Sequence, residues 1–220
     1  VLGICEDNRR ARVYAGCGWL VGAAAFISPL CALSVSLFSA RVGQHMILVL
    51  VAAPLIALGL PGRNRSNGAA WPLWAAGGAF MVALWAWHMP TPYAATFTAT
   101  GLYWAMHLTL FGSAILLWSE LIHHPARRTG LALTVGLLTS TQMGLLGAVL
   151  ALARRPLFFP HLITTQAWGL TPLQDQQLGG TLMWVPGIVL FLWVAIRSLR
   201  RLWNALESPD QHESPTARLS

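Results

Sequence analysis

The chain has no lysine: all 14 of its basic residues are arginines, set against seven acids, for a formal charge of +7 over 220 residues. Charge is scarce altogether, at 10% of residues against 55% hydrophobic. A soluble domain carries about 25% charged residues, so soluble enzymes and soluble binding modules are excluded. A basic balance can indicate nucleic acid, but these arginines come in small groups between apolar runs, as topology signals do, and no nucleic-acid partner is expected. Cysteine is rare too. Cys5, Cys17 and Cys31 form no C-x-x-C or C-x-C pair, which excludes a cysteine-pair metal carrier. Cys17 and Cys31 fall in an apolar run and read as small buried hydrophobes. Cys5 precedes that run on the reducing side, where a disulfide is not expected. There is no Walker loop, nucleophile elbow or H-E-x-x-H motif. Nor is there a short apolar core followed by a small-residue cleavage site. The first apolar run is span-length and reads as a retained anchor.

What the chain does have is apolar stretches of about 20 residues, the length that crosses a bilayer as a helix. They predict an all-α integral membrane protein, a bundle of six transmembrane helices over 13–37, 42–60, 71–87, 102–122, 131–153 and 178–196. Residues 1–12 form an N-terminal segment, 13–203 the membrane domain and 204–220 a polar, proline-containing tail expected to be disordered. Trp19, Trp71, Trp87, Trp104, Trp118 and Trp184 lie near span ends, as interfacial anchors do.

Arginine placement orients the bundle. Arg9, Arg10 and Arg12, then Arg63 and Arg65, then Arg127 and Arg128, then Arg197, Arg200 and Arg201 occupy alternate connections. The positive-inside rule makes that side cytoplasmic, with both termini on it. The exterior connections hold only Arg41, Arg154 and Arg155.

On this map His45, His88 and His107 come to one layer near the exterior ends of spans two, three and four. An imidazole inside a span is costly and by default marks a functional site with a partner. Each also adjoins a methionine: Met46, Met89 and Met106. Imidazole with thioether is copper chemistry, above all that of Cu(I). Neighbours on a helix point about 100° apart, so the methionines read either as auxiliary ligands or as packing. Asp175 and Gln176 fall on the same face before span six. Asp175 reads either as a helix cap or as a carboxylate orienting a ligand imidazole. His123, His124 and His212 lie elsewhere and are set aside. His88-Met-Pro90-Thr-Pro92 reads as a helix stop, and Pro186-Gly187 as a kink. Thr139-Ser140-Thr141-Gln142 in span five reads as hydrogen bonding between helices.

These segments resemble the CtaG-type cytochrome c oxidase assembly factors, a polytopic bacterial membrane family. The resemblance rests on Ser28-Pro29-Leu30, the stretch from Ser39 to His45, Ala53-Pro54-Leu55 with Leu58-Gly59, Trp87-His88-Met-Pro90, His107, and Asp175-Gln176-Gln-Leu-Gly179-Gly180 with Met183-Trp184. It implies an inner-membrane factor that matures haem–copper oxidase, with the oxidase catalytic subunit as partner and copper as the metal delivered. Two departures stand out. Arg41 and Tyr103 occupy positions, four residues before His45 and His107, where many members of that family have histidine. The family also tends to carry a seventh span, upstream of those seen here. The expected reading is therefore copper binding by His45, His88 and His107. Met46, Met89 and Met106 would be auxiliary, and Asp175 a carboxylate behind the ligands or the entry site; carrying copper requires no turnover chemistry, so no enzyme is expected. The rivals are a haem-binding membrane cytochrome and a metal-free assembly scaffold.

Overall fold

The computed structural model describes residues 2–61 and 69–207, with the side chains at 2–7, 126, 186–187, 189–191, 201 and 205–207 excepted. The described chain is all-α. Its helices are α1 (Leu2–Ile27), α2 (Pro29–Ser36), α3 (Phe38–Ile47), α4 (Ala53–Gly59), α5 (Trp71–Trp87), α6 (Pro90–Ala95), α7 (Thr100–His123), α8 (Thr129–Ala151) and α9 (Pro172–Glu207). Among the described residues, three helices are long and apolar enough to cross a membrane: Phe38–Gly59, Thr100–His123 and Thr129–Ala151. The bent pair Asn8–Ile27 and Pro29–Ser36 makes a fourth if it counts as one span. Large apolar side chains such as Leu20, Ile27, Leu108 and Leu137 face outward along these helices, as lipid-facing surfaces require.

The first predicted span is not one straight helix. Proline cannot donate to the preceding turn and clashes with it, so the helix stops before Ser28-Pro29 and α2 sets off at 52° to α1. Cys31 therefore sits half-buried on a separate short helix, the second part of the bent pair. Leu37 is extended, at φ −126° and ψ 131°, and turns the chain into α3. The expected stop at His88-Met-Pro90 is found: α5 ends at Trp87, and α6 begins with Pro90 in its first turn.

Within the second predicted span, Leu48–Ala52 form one π turn between α3 and α4. Its cause can be followed bond by bond. The Ala53 N–H reaches back to the Leu48 carbonyl, and Pro54 has no N–H to offer. The Val49 carbonyl is thus left without a partner in its own helix. The Trp118 indole N–H of α7 supplies one, at 2.7 Å. Trp118 is 1% exposed and is a buried hydrogen-bond donor rather than the interfacial anchor expected of it.

Small residues set the closest helix approaches. A Cβ on Gly180 would lie 2.5 Å from the Ala151 nitrogen and 2.6 Å from the Gly147 oxygen, so only glycine lets α8 and α9 touch backbone to backbone there. A Cβ on Gly179 would strike the Phe38 ring at 2.6 Å, where α9 meets α3. α5 packs on α7, and α1 on α4. Thr139 bonds the Val135 carbonyl of its own helix, not a neighbouring helix. α9 is continuous through 186–187; the expected kink falls where side chains are not described. α9 runs past Asn204 to Glu207, and the rest of the predicted tail, like the Arg63–Arg65 connection, lies outside the described residues.

Replacing Trp118 with phenylalanine strands the Val49 carbonyl in a buried site. An unsatisfied buried backbone group costs about 1–3 kcal/mol. Thermal unfolding of W118F in detergent should show that loss, with the helix content of the folded protein unchanged.

Candidate functional site

The start of α3 is held from 136 residues away. Asp175, in the first turn of α9 and 0% exposed, accepts the backbone N–H of Phe38 at 2.7 Å and of Ser39 at 3.1 Å, and also the Ser39 hydroxyl. It is a cap, but for α3 rather than for its own helix. Its oxygens are spent on two backbone amides and the Ser39 hydroxyl, so its influence on His45 passes through the helix that carries that residue. The neighbouring Gln176 holds the connection that follows α8: its Oε1 accepts the Leu157 N–H at 2.7 Å, and its Nε2 donates to the Leu150 carbonyl.

One turn into α3, Arg41 is 1% exposed. Its Nε donates to the Ser34 carbonyl at 3.1 Å and its Nη1 to the Thr96 hydroxyl at 2.8 Å. The guanidinium lies 4.0 Å from the Phe97 ring centroid, 5.1 Å from that of Tyr93 and 5.9 Å from that of Tyr103. None of these partners is a carboxylate. Arg41 does not snorkel to water; carbonyl, hydroxyl and aromatic faces together hold the charge inside the protein.

One further turn along α3, His45 occupies the middle of a histidine cluster. Its ring lies 5.2 Å from that of His107 and 5.7 Å from that of His88, centroid to centroid, edge to face in both cases. All three residues are at most 3% exposed. His88 Nδ1 donates to the Leu84 carbonyl at 2.7 Å and His107 Nδ1 to the Tyr103 carbonyl at 2.9 Å, each one turn back on its own helix. That bond fixes the tautomer and leaves Nε2 with a free lone pair, as a backbone carbonyl does behind a metal-ligating histidine. Both ring nitrogens of His45 and the Nε2 of His107 are buried with no hydrogen-bond partner. Among the described residues, however, no group of three or more His, Cys, Asp or Glu side chains is placed to hold a metal ion. The three predicted histidines come together, but their nitrogens do not converge in this conformation.

The methionines divide. Met106 is 0% exposed and Met46 is in the core, whereas Met89 is 40% exposed beside the helix stop.

Sequence reasoning overlooked His161, in the connection between α8 and α9. It is 2% exposed. Its Nδ1 donates to the Ser36 carbonyl at 3.2 Å, which leaves its Nε2 to accept the Tyr93 hydroxyl at 2.7 Å. Thr164 also donates to Ser36, and Phe158 stacks on Phe38 with centroids 4.2 Å apart. This segment thus closes over the start of α3. The only signal for it was a histidine in an aromatic stretch, Phe158-Phe159-Pro160-His161, with no spacing to give it a role.

The molecule is an all-α, multi-pass membrane protein with a buried polar layer built around three histidines. The family model for Cytochrome c oxidase caa3 assembly factor (Caa3_CtaG) matches residues 7–205, nearly the whole chain, and the protein belongs to that family of assembly factors, which are not enzymes. No curated protein and no solved structure matches it.

Burial holds the His161 imidazole below its ordinary value of 6.5; the Arg41 charge works the same way, while the Ser36 bond and Asp175 oppose it. A histidine that folds neutral contributes stability above the unfolded value, and loses it as pH falls through that value toward the lower folded one. The unfolding midpoint should therefore fall as pH drops below about 6.5. In His161→Gln that dependence should be shallower by a few degrees, at about 2–4 °C per kcal/mol for a chain of this size.

Proposed function

We propose that this protein is a bacterial inner-membrane factor that binds copper on His45, His88 and His107 and passes it to the catalytic subunit of cytochrome c oxidase. In this reading six spans cross the bilayer: the bent first pair, the helix from Phe38 to Gly59, α5, α7, α8 and the apolar part of α9. Both termini are cytoplasmic and the histidine layer faces the periplasm, as the arginine distribution requires. The observation that carries the proposal is the pair of unpartnered ring nitrogens on His45, buried between two histidines whose tautomers leave Nε2 free. A buried polar atom with no partner costs about 1–3 kcal/mol, and a cargo ion would repay it. The ring separations of 5.2 and 5.7 Å have the size expected when imidazoles share an ion at about 2 Å from each nitrogen. Capture requires the imidazoles to turn so that their lone pairs meet. Met46 and Met106 lie next in sequence to two of the ligands and suit a soft ion; Met89 is the outermost of the three. Asp175 acts by fixing α3. Delivery requires reversible binding, which a loosely gathered set of imidazoles favours over a closed, fully coordinated one. The edge-to-face packing of the rings leaves no gap for a porphyrin between them, which disfavours the haem reading.

Copper content of the purified protein and oxidase activity in the same cells test this together. His45→Ala should lose at least tenfold in bound copper with the protein level unchanged, and His107→Ala and His88→Ala should follow. Oxidase copper should fall in parallel. Full oxidase copper in all three variants would leave a metal-free scaffold, and a Soret band in the wild type would mean haem.

A further inference from the structure

We infer that Arg41 sets the ion specificity of the histidine site: its fixed charge admits a monovalent ion, Cu(I), and turns away divalent ions such as Zn(II). This rests on the copper reading above. A guanidinium stays protonated inside a protein, and Arg41 is 1% exposed. The Ser34 carbonyl at 3.1 Å, the Thr96 hydroxyl at 2.8 Å and the Phe97 face at 4.0 Å solvate the charge without cancelling it. The carboxylate that touches α3, Asp175, is engaged at Phe38 and Ser39, where the helix starts, whereas His45 lies in its last turn. Arg41 stands between the two in sequence. It is four residues before His45, about 6 Å of helix rise, and on the same face.

The cation also approaches the cluster through α7. The Tyr103 ring has its centroid 5.9 Å from the guanidinium and 4.4 Å from the His107 ring, and His107 is 5.2 Å from His45. His107 thus lies within about one Debye length of Arg41, about 10 Å at 0.1 M salt. Both residues are buried, so salt screens the pair poorly. Imidazole binds metal in its neutral form, so three histidines bring no negative charge to offset an ion. A monovalent ion puts one further charge beside Arg41, and a divalent ion puts two. At an effective dielectric constant of about 20 and a separation of about 10 Å, each added unit of charge weakens binding roughly tenfold. Desolvation of the ion acts in the same direction. Zinc, iron, nickel and copper are the metals that suit imidazole, and copper is the one that also offers a stable monovalent ion. No electron is transferred in this selection; the ion binds as it arrives.

The test measures Cu(I) and Zn(II) affinities of full-length protein in detergent, each against a competing chelator and anaerobically for Cu(I). Arg41→Gln should tighten Zn(II) at least tenfold more than Cu(I), and Arg41→Lys should keep the wild-type ratio. The zinc gained in R41Q should be lost when His45 is also changed to alanine. Thr96→Asp, which sets a carboxylate against the guanidinium and leaves Arg41 in place, should give the same gain and serves if R41Q does not fold. A ratio unchanged in folded R41Q or T96D overturns the inference, because a purely structural arginine would move both ions together. R41K behaving like R41Q overturns it too, as does gained zinc that survives loss of His45. In each of these cases Cu(I) bound by the wild type leaves the copper reading standing. A wild type that binds no Cu(I) removes both readings at once.

Discussion

A carboxylate placed in a protein interior must find donors, because its desolvation is otherwise prohibitive. Asp175 finds them at the amino end of α3, where the unsatisfied amides and the helix dipole both favour negative charge. The contact joins α9 to α3 and sets their register to within a bond length. Gly179, one turn farther along α9, lets the Phe38 ring lie against the helix. Gln176 uses the same turn to hold the connection between α8 and α9. With α3 fixed at its start, Arg41 and His45 follow at intervals of four residues and so share a face. The positions of the cation and of the central imidazole are consequences of one capping interaction.

Arg41 gives the polar layer its character. Four residues before His45 this chain places a permanent cation and surrounds it with Phe97, Tyr93 and Tyr103 faces, the Thr96 hydroxyl and the Ser34 carbonyl. Thr96 can accept from Arg41 because its own proton is directed at the Tyr93 carbonyl. Tyr93 in turn donates to His161, which donates to Ser36. The network therefore runs from α2 through α3 and α6 to the connection before α9. Beside it the histidine cluster stands out for the opposite reason, since both ring nitrogens of His45 and the Nε2 of His107 are left unmatched.

Much of this was legible in the sequence. The helix end at His88-Met-Pro90 follows from proline chemistry alone, and so does the break at Ser28-Pro29, although there the motif was noted and the bend was not drawn from it. The meeting of His45, His88 and His107 follows from counting residues inward from span ends of one polarity. What escaped were partnerships between residues far apart in the chain. Asp175 offered two readings, a cap on its own helix or a ligand's support, and its partners proved to be the amides of Phe38 and Ser39. Trp118 looked like an anchor because tryptophan favours interfaces. Its place was decided by a carbonyl that Pro54, in a different span, left without a donor. His161 carried no periodic signal, because its partners lie on α6 and at the end of α2.

The sequence by itself determined that this is an all-α membrane protein of the oxidase assembly family and that three histidines meet at one end of it. Hydropathy, proline placement and helical rise are local properties that a chain carries before it folds. Only the tertiary structure decided which buried polar groups satisfy one another and which remain open. Hydrogen bonding inside a low-dielectric interior is a matching problem across the whole molecule, and its solution depends on distances that no single segment encodes.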